Sequence, residues 1–96
     1  MFTANDAKRM REENTAFQEA LQESVDSTIE CIKRAIKRGE DYSVISAHCF
    51  KDKEGENRYI SEYQVLEELK KYGYSEYRKP VYSGGVLQIG PFVTWL

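Results

Sequence analysis

The side chains best suited to chemistry are few: one histidine, His48, and two cysteines, Cys31 and Cys49. Together they could ligate a soft metal or form a Cys–His nucleophile pair. Spacing argues against both. His48 and Cys49 fall in a predicted strand, where adjacent side chains point to opposite faces. No CxxC or HxxxH pattern is present. A Cys31–His48 pair would need a third group to orient the base, and the chain offers no second histidine. Both cysteines read as buried small apolar groups rather than a disulfide framework. Ser83-Gly84-Gly85 has the composition of a phosphate loop but lacks the following helix that would aim amides at an anion. Glu12-Glu13, Glu40-Asp41 and Glu67-Glu68 are neighbours on faces expected to be solvated. The sequence therefore assigns no catalytic residue, no metal site and no cofactor, and the chain is expected not to be an enzyme.

The most unusual feature is tyrosine. Six of the seven lie between residues 59 and 82: Tyr59, Tyr63, Tyr72, Tyr74, Tyr77 and Tyr82. Arg58, Lys70, Lys71, Arg78 and Lys79 are interleaved with them. Tyrosine is enriched at protein–protein interfaces because it offers a large contact area at low entropic cost. Aromatic and basic residues together also make stacking platforms for a nucleotide or single-stranded nucleic acid. A third use is half-buried packing at element edges, with each hydroxyl in water.

The elements must position these groups. The chain has 96 residues, enough for a single domain spanning 1–96. A domain this small has a modest core, which a partner subunit would supplement. Charge is balanced along the chain: residues 1–38 carry seven basic and seven acidic residues, and residues 39–96 carry seven and nine. Nucleic-acid binding through a basic patch is thus disfavoured. No apolar run approaches the roughly 18–20 residues needed to span a membrane, and no signal peptide is evident, so the expected compartment is cytoplasmic.

Residues 3–38 read as a helix, capped by Thr3 with Asp6 and ended by Gly39. Phe17, Leu21, Val25, Thr28, Ile29, Ile32, Ala35 and Ile36 form its apolar stripe. Before Phe17 the stripe thins to Ala4, Ala7, Met10 and Ala16. One straight helix of this length would run about 54 Å, against a compact domain about 35 Å across. The first 13 residues must overhang, fold back or pack on another molecule. They are either continuous with the rest or an arm hinged at Asn14-Thr15. Met10 and Phe17 on this helix join Tyr59, Tyr63, Tyr72, Tyr74, Tyr77, Tyr82, Arg78 and Lys79 as interaction candidates.

Residues 42–50 read as a strand and 51–57 as a charged loop. The second helix is the best specified element. Ser61 and Gln64 make a capping box, and Ile60 with Val65 a hydrophobic staple. Val65, Leu66, Leu69 and Tyr72 form its buried stripe, and Gly73-Tyr74 closes it in a Schellman motif. Residues 75–82 and 86–89 form a hairpin around Ser83-Gly84-Gly85, with Pro80 marking an edge strand.

The opening Phe2-Thr3-Ala4-Asn5-Asp6-Ala7, the basic stretch before Gly39, and Leu66-Glu-Glu-Leu-Lys-Lys-Tyr-Gly-Tyr74 before a hairpin ending near Trp95 resemble small proteins encoded by tailed bacteriophages. That resemblance implies a host-cytoplasmic or virion location and no known catalytic residues.

The expected fold is a two-layer α+β domain of order α-β-α-β-β, a three-stranded sheet with a C-terminal antiparallel hairpin packed on two helices. The place of the first strand in the sheet is open. The expected function is a non-catalytic protein–protein interaction protein, a small phage-type accessory protein acting by self-association, as a homo-oligomer, or on a host or phage protein. The alternative is a small ligand-binding module for a nucleotide or single-stranded nucleic acid on the Tyr/Lys/Arg face.

Overall fold

The structure, a computed structural model, describes residues 1–13 and 15–96, with backbone only for residues 11–13. It is elongated, 46 × 25 × 23 Å. Two helices open the chain, α1 (Ala4–Glu13) and α2 (Thr15–Lys37). The hinge expected at Asn14-Thr15 falls on Asn14, outside the described residues. Thr3 and Asp6 cap α1 reciprocally: the Asp6 N–H donates to Thr3 Oγ1 at 3.2 Å, and the Thr3 N–H to the Asp6 carboxylate at 3.0 Å. That donation holds the Asp6 carboxyl below its ordinary value. At the other end Gly39 takes a positive φ of 78°. The Glu40 N–H then reaches the Ala35 carbonyl and the Gly39 N–H that of Ile36, the two bonds of a Schellman motif.

The expected stripe on α2 is buried from Phe17 to Ala35 except for half-buried Ile29, and is joined by Ala20 and Ser24, whereas Ile36 is exposed. The third helix, α3 (Glu62–Lys70), keeps its capping box in full: Ser61 Oγ accepts from the Tyr63 N–H and Gln64 Oε1 from the Ser61 N–H. Ile60, Val65, Leu66 and Leu69 are buried in one core with Phe17, Leu21, Val25, Ile32 and Val93. Tyr72, expected in the stripe, lies beyond the helix end and is exposed.

Among the described residues, seven short strands accompany the helices, so the class is α+β with more strands than the sequence resolves. The three-stranded sheet is ordered β1 (Tyr42–Val44), β7 (Phe92–Thr94), β4 (Ser75–Tyr77), antiparallel throughout. The open question of the first strand is thereby answered: β1 pairs with the last strand. Val93 at the sheet centre points into the helical core, while Tyr42 stacks on Tyr77 (ring centroids 4.7 Å apart) and meets Phe92 edge-on across the opposite face.

Two hairpins stand apart from this sheet. One, β2 (Cys49–Lys51) with β3 (Asn57–Tyr59), occupies part of the segment read as a loop. The other, β5 (Val81–Ser83) with β6 (Val86–Gln88), is the expected C-terminal hairpin, standing as a separate ribbon. Pro80 and Pro91 bound it. Each lacks an N–H and biases its predecessor away from regular pairing, so β4 ends before one and β7 starts after the other.

The strand expected over 42–50 divides. Ser43 and Ile45 point inward, then Ser46, His48 and Phe50 do, so the alternation changes phase at Ile45-Ser46. The cause lies on α2. Thr28 Oγ1 accepts from the Ser46 N–H (3.0 Å) and donates to the Ser24 carbonyl (2.8 Å), with the Ser46 carbonyl 3.2 Å away, and Ser24 Oγ accepts from the His48 N–H (2.8 Å). Two fully buried helix hydroxyls thus take the backbone groups that a neighbouring strand would take.

Candidate functional site

His48 has a partner that the sequence did not single out. Its Nε2 lies 2.9 Å from Ser27 Oγ, and its Nδ1 lies 3.6 Å from the Glu23 carboxylate. Glu23 and Ser27 are one helical turn apart on α2, so they share a face. Their meeting with His48 is tertiary and leaves no mark in local spacing. The order of groups is that of a nucleophile, base and orienting acid. Acyl transfer also needs amide donors for the developing oxyanion. Ser27 sits mid-helix, where backbone N–H groups already donate four residues back. The N–H groups of Ser46 and His48 are committed to Thr28 and Ser24. The arrangement clasps residues 46–48 onto α2. Of the cysteines, Cys31 is half-buried and Cys49 is exposed rather than buried as expected.

Asp52, Glu54 and Glu56 bring carboxylate oxygens within 4.8 Å of one another. Arg58 already supplies positive charge there, 2.9 Å from Asp52 and 3.3 Å from Glu56. Asp52 Oδ1 also accepts from the Glu54 and Glu56 N–H groups, closing the β2–β3 turn. The Glu56 N–H, and then Arg58, hold the Asp52 carboxyl below its ordinary 3.8 despite opposing desolvation. A depressed folded value stabilises the turn above the unfolded pKa and loses that effect as pH falls through the folded one. In an NMR titration Asp52 is expected to titrate below the ordinary Asp range. The Glu54 and Glu56 amide resonances should shift with it, and Asp52→Asn should abolish that shift.

The tyrosines do not share one surface. Tyr63 lines a cleft of 720 Å³ with Lys8, Phe17 and Leu21, where α1, α2 and α3 meet. Val81 and Ser83, flanking Tyr82, line a second cleft of 370 Å³ with Arg34, Arg38 and Val44. Leu21 and Arg34 are separated by about 20 Å along α2. Tyr59, Tyr63, Tyr72 and Tyr82 are exposed, Tyr74 packs against the core, and Tyr77 is engaged with Tyr42. Of the other candidates, Phe17 is buried and meets Phe50 edge-on, and Met10, Arg78 and Lys79 are exposed. Arg78 lies 3.7 Å from Glu76.

The least ordinary surface is the β5–β6 ribbon. Gly84 and Gly85 both take positive φ (61° and 80°), as a two-residue hairpin loop whose twist matches its strands requires. The register sets Tyr82 against Leu87, and Ile89 follows just past the end of β6. Val81, Ser83 and Gln88 occupy the other face and line the cleft toward the body. Ser83 and Gln88 border that cleft while remaining exposed, and Tyr82 (67% exposed), Leu87 (52%) and Ile89 (93%) stand in solvent. Val86 at the tip is exposed as well. No charged residue occurs from Pro80 to Leu96, in a chain that is 31% charged. The aliphatic members of this face were missed in the sequence. A missed signal was available in that uncharged tail around a Gly-Gly turn.

No helix among the described residues is long and apolar enough to cross a membrane. No protein-family model matches the chain, and comparison with curated proteins and with solved structures yields no match.

Proposed function

We propose that this chain is a non-catalytic protein–protein interaction module, a small accessory protein whose binding surface is the outward face of the β5–β6 ribbon. One observation carries the reading: Tyr82, Leu87 and Ile89 of an uncharged ribbon stand largely in water. Exposed apolar surface of this kind is unfavourable in a monomer and is what a partner covers. Tyr82 supplies the aromatic anchor typical of binding hot spots. A nucleotide-stacking platform is less favoured, since it would need the tyrosines on one surface.

The double variant Leu87→Ser with Ile89→Ser tests this reading. Both side chains are largely in water, so its unfolding free energy in urea should stay within about 0.5 kcal/mol of the parent. In extracts of cells expressing the chain, the parent should elute well above the 11.2 kDa monomer position on size exclusion, and the variant at it. A parent that elutes as a monomer, or a variant that elutes with the parent, would contradict the reading.

A further inference from the structure

The ribbon has an open edge as well as an open face, and that edge points to one occupant. We propose that β6 pairs antiparallel, edge to edge, with β6 of a second copy of this chain. The two-fold axis passes at Leu87, and two ribbons become one four-stranded sheet. The proposal rests on the reading of the ribbon as the binding surface and names the partner of its open edge.

The hydrogen-bond alternation of the hairpin exposes the groups required. Ser83 and Val86 flank the two-residue loop and form its hydrogen-bonded pair. The next pair, Tyr82 and Leu87, is then the non-bonded one, so the Leu87 N–H and carbonyl point away from β5. Val86, Leu87 and Gln88 are all exposed, and β6 has β5 as its only strand neighbour among the described residues. Solvent-exposed edges are commonly blunted by lysine, proline or a bulge. The β5 strand follows Arg78, Lys79 and Pro80, whereas β6 carries no charge and no proline.

Self-pairing explains that absence. A two-fold axis sets each surface against its own image, so a charge near the axis would meet itself. A strand without charge is free of that repulsion, and it offers a charged partner nothing to complement. With Leu87 on the axis, Gln88 lies across from Val86 of the second copy and Ile89 across from its Gly85. Ile89, the most exposed side chain of the ribbon, would then pack over a residue that has no side chain. Edge pairing of three-residue strands covers only part of each ribbon, well below the roughly 800 Å² per partner of a standard interface. The pairing is accordingly weak, reversible and set by concentration.

Sedimentation velocity on the purified full chain, from about 1 µM to about 1 mM, tests this. The parent is expected to shift from monomer to dimer across that range. Leu87→Pro should remain monomeric throughout, because its ring removes the outward N–H while the β5–β6 ladder does not use it. Leu87→Ala, which keeps the N–H, should weaken dimerisation only a few-fold. Amide exchange on the parent supplies a readout that needs no variant: the Leu87 N–H should gain protection with concentration and the Tyr82 N–H should not. A parent monomeric at every concentration, a Leu87→Pro chain that dimerises like the parent, or unchanged Leu87 exchange overturns the proposal. Equal loss in Leu87→Ala and Leu87→Pro overturns it also, in favour of side-chain packing alone. If the purified parent is monomeric but elutes in a larger complex from extracts, self-pairing fails and the ribbon remains a surface for another protein. A monomer in both removes both readings.

Discussion

Replacing Thr28 by Val is expected to destabilise the fold by about 1–3 kcal/mol, although the substitution is nearly isosteric and adds no volume. The hydroxyl is fully buried, donates to the Ser24 carbonyl and accepts from the Ser46 N–H. Removing it strands the Ser46 N–H at the seam between α2 and the chain. An unsatisfied buried group costs about 1–3 kcal/mol when water cannot reach it, less where it can. Ser24→Ala should act on the same seam through the His48 N–H. Because both hydroxyls hold one segment, the double variant should cost less than the sum of the singles. Urea unfolding followed by the fluorescence of Trp95, the lone tryptophan and packed against the core, measures all three. A loss under about 0.5 kcal/mol for Thr28→Val would show that the seam is held by something else.

Leu69→Ala should cost more, about 3–4 kcal/mol. Leu69 is fully buried at the centre of the face that α3 presents to α2. Truncation loses the transfer free energy of its side chain and leaves a cavity in the core. A small domain is stable by roughly 5–10 kcal/mol, so a third or more of the margin would go. The same fluorescence experiment should show a lower midpoint with an unchanged slope, since the surface exposed on unfolding is the same. Comparison with the ribbon variant is instructive. Leu69 and Leu87 are the same residue type in short elements, yet one substitution should remove much of the stability margin and the other should leave it nearly unchanged.

That contrast also marks how far the sequence was legible. The helices could be read because their signals are local: Thr3 with Asp6, Ser61 with Gln64, the glycines at 39 and 73, and apolar residues every three or four positions. The α+β class and the hairpin around Gly84-Gly85 followed from similarly local chemistry. The strand over 42–50 could not be read correctly, because its division depends on Ser24 and Thr28, some 20 residues away. Thr28 reads only as a member of the buried stripe and Ser24 lies outside that stripe, so neither hydroxyl shows its backbone partner until the tertiary structure is in place. The β2–β3 hairpin was hidden for a related reason. Lys51 to Asn57 is highly charged, and Asp52 with Arg58 organises a turn that composition alone reads as loop. Tyr59, Tyr63, Tyr72 and Tyr82 are indeed exposed, but the supposed face they share dissolves once α3 and the ribbon occupy different stretches of α2. Leu87 and Ile89 escaped notice because an apolar residue in a strand is read as buried. A hydrophobic pattern reports that a side chain avoids water and is silent on whether its cover comes from the same chain.

The central claim is that the outward face of the ribbon contacts a protein. A photo-crosslinking residue at Tyr82 tests it most directly, with the same residue at Lys53 on the β2–β3 turn as control. The account predicts protein adducts in expressing cells from position 82 and few from position 53. An absence of protein adducts from 82, or equal yields from the two positions, would contradict it.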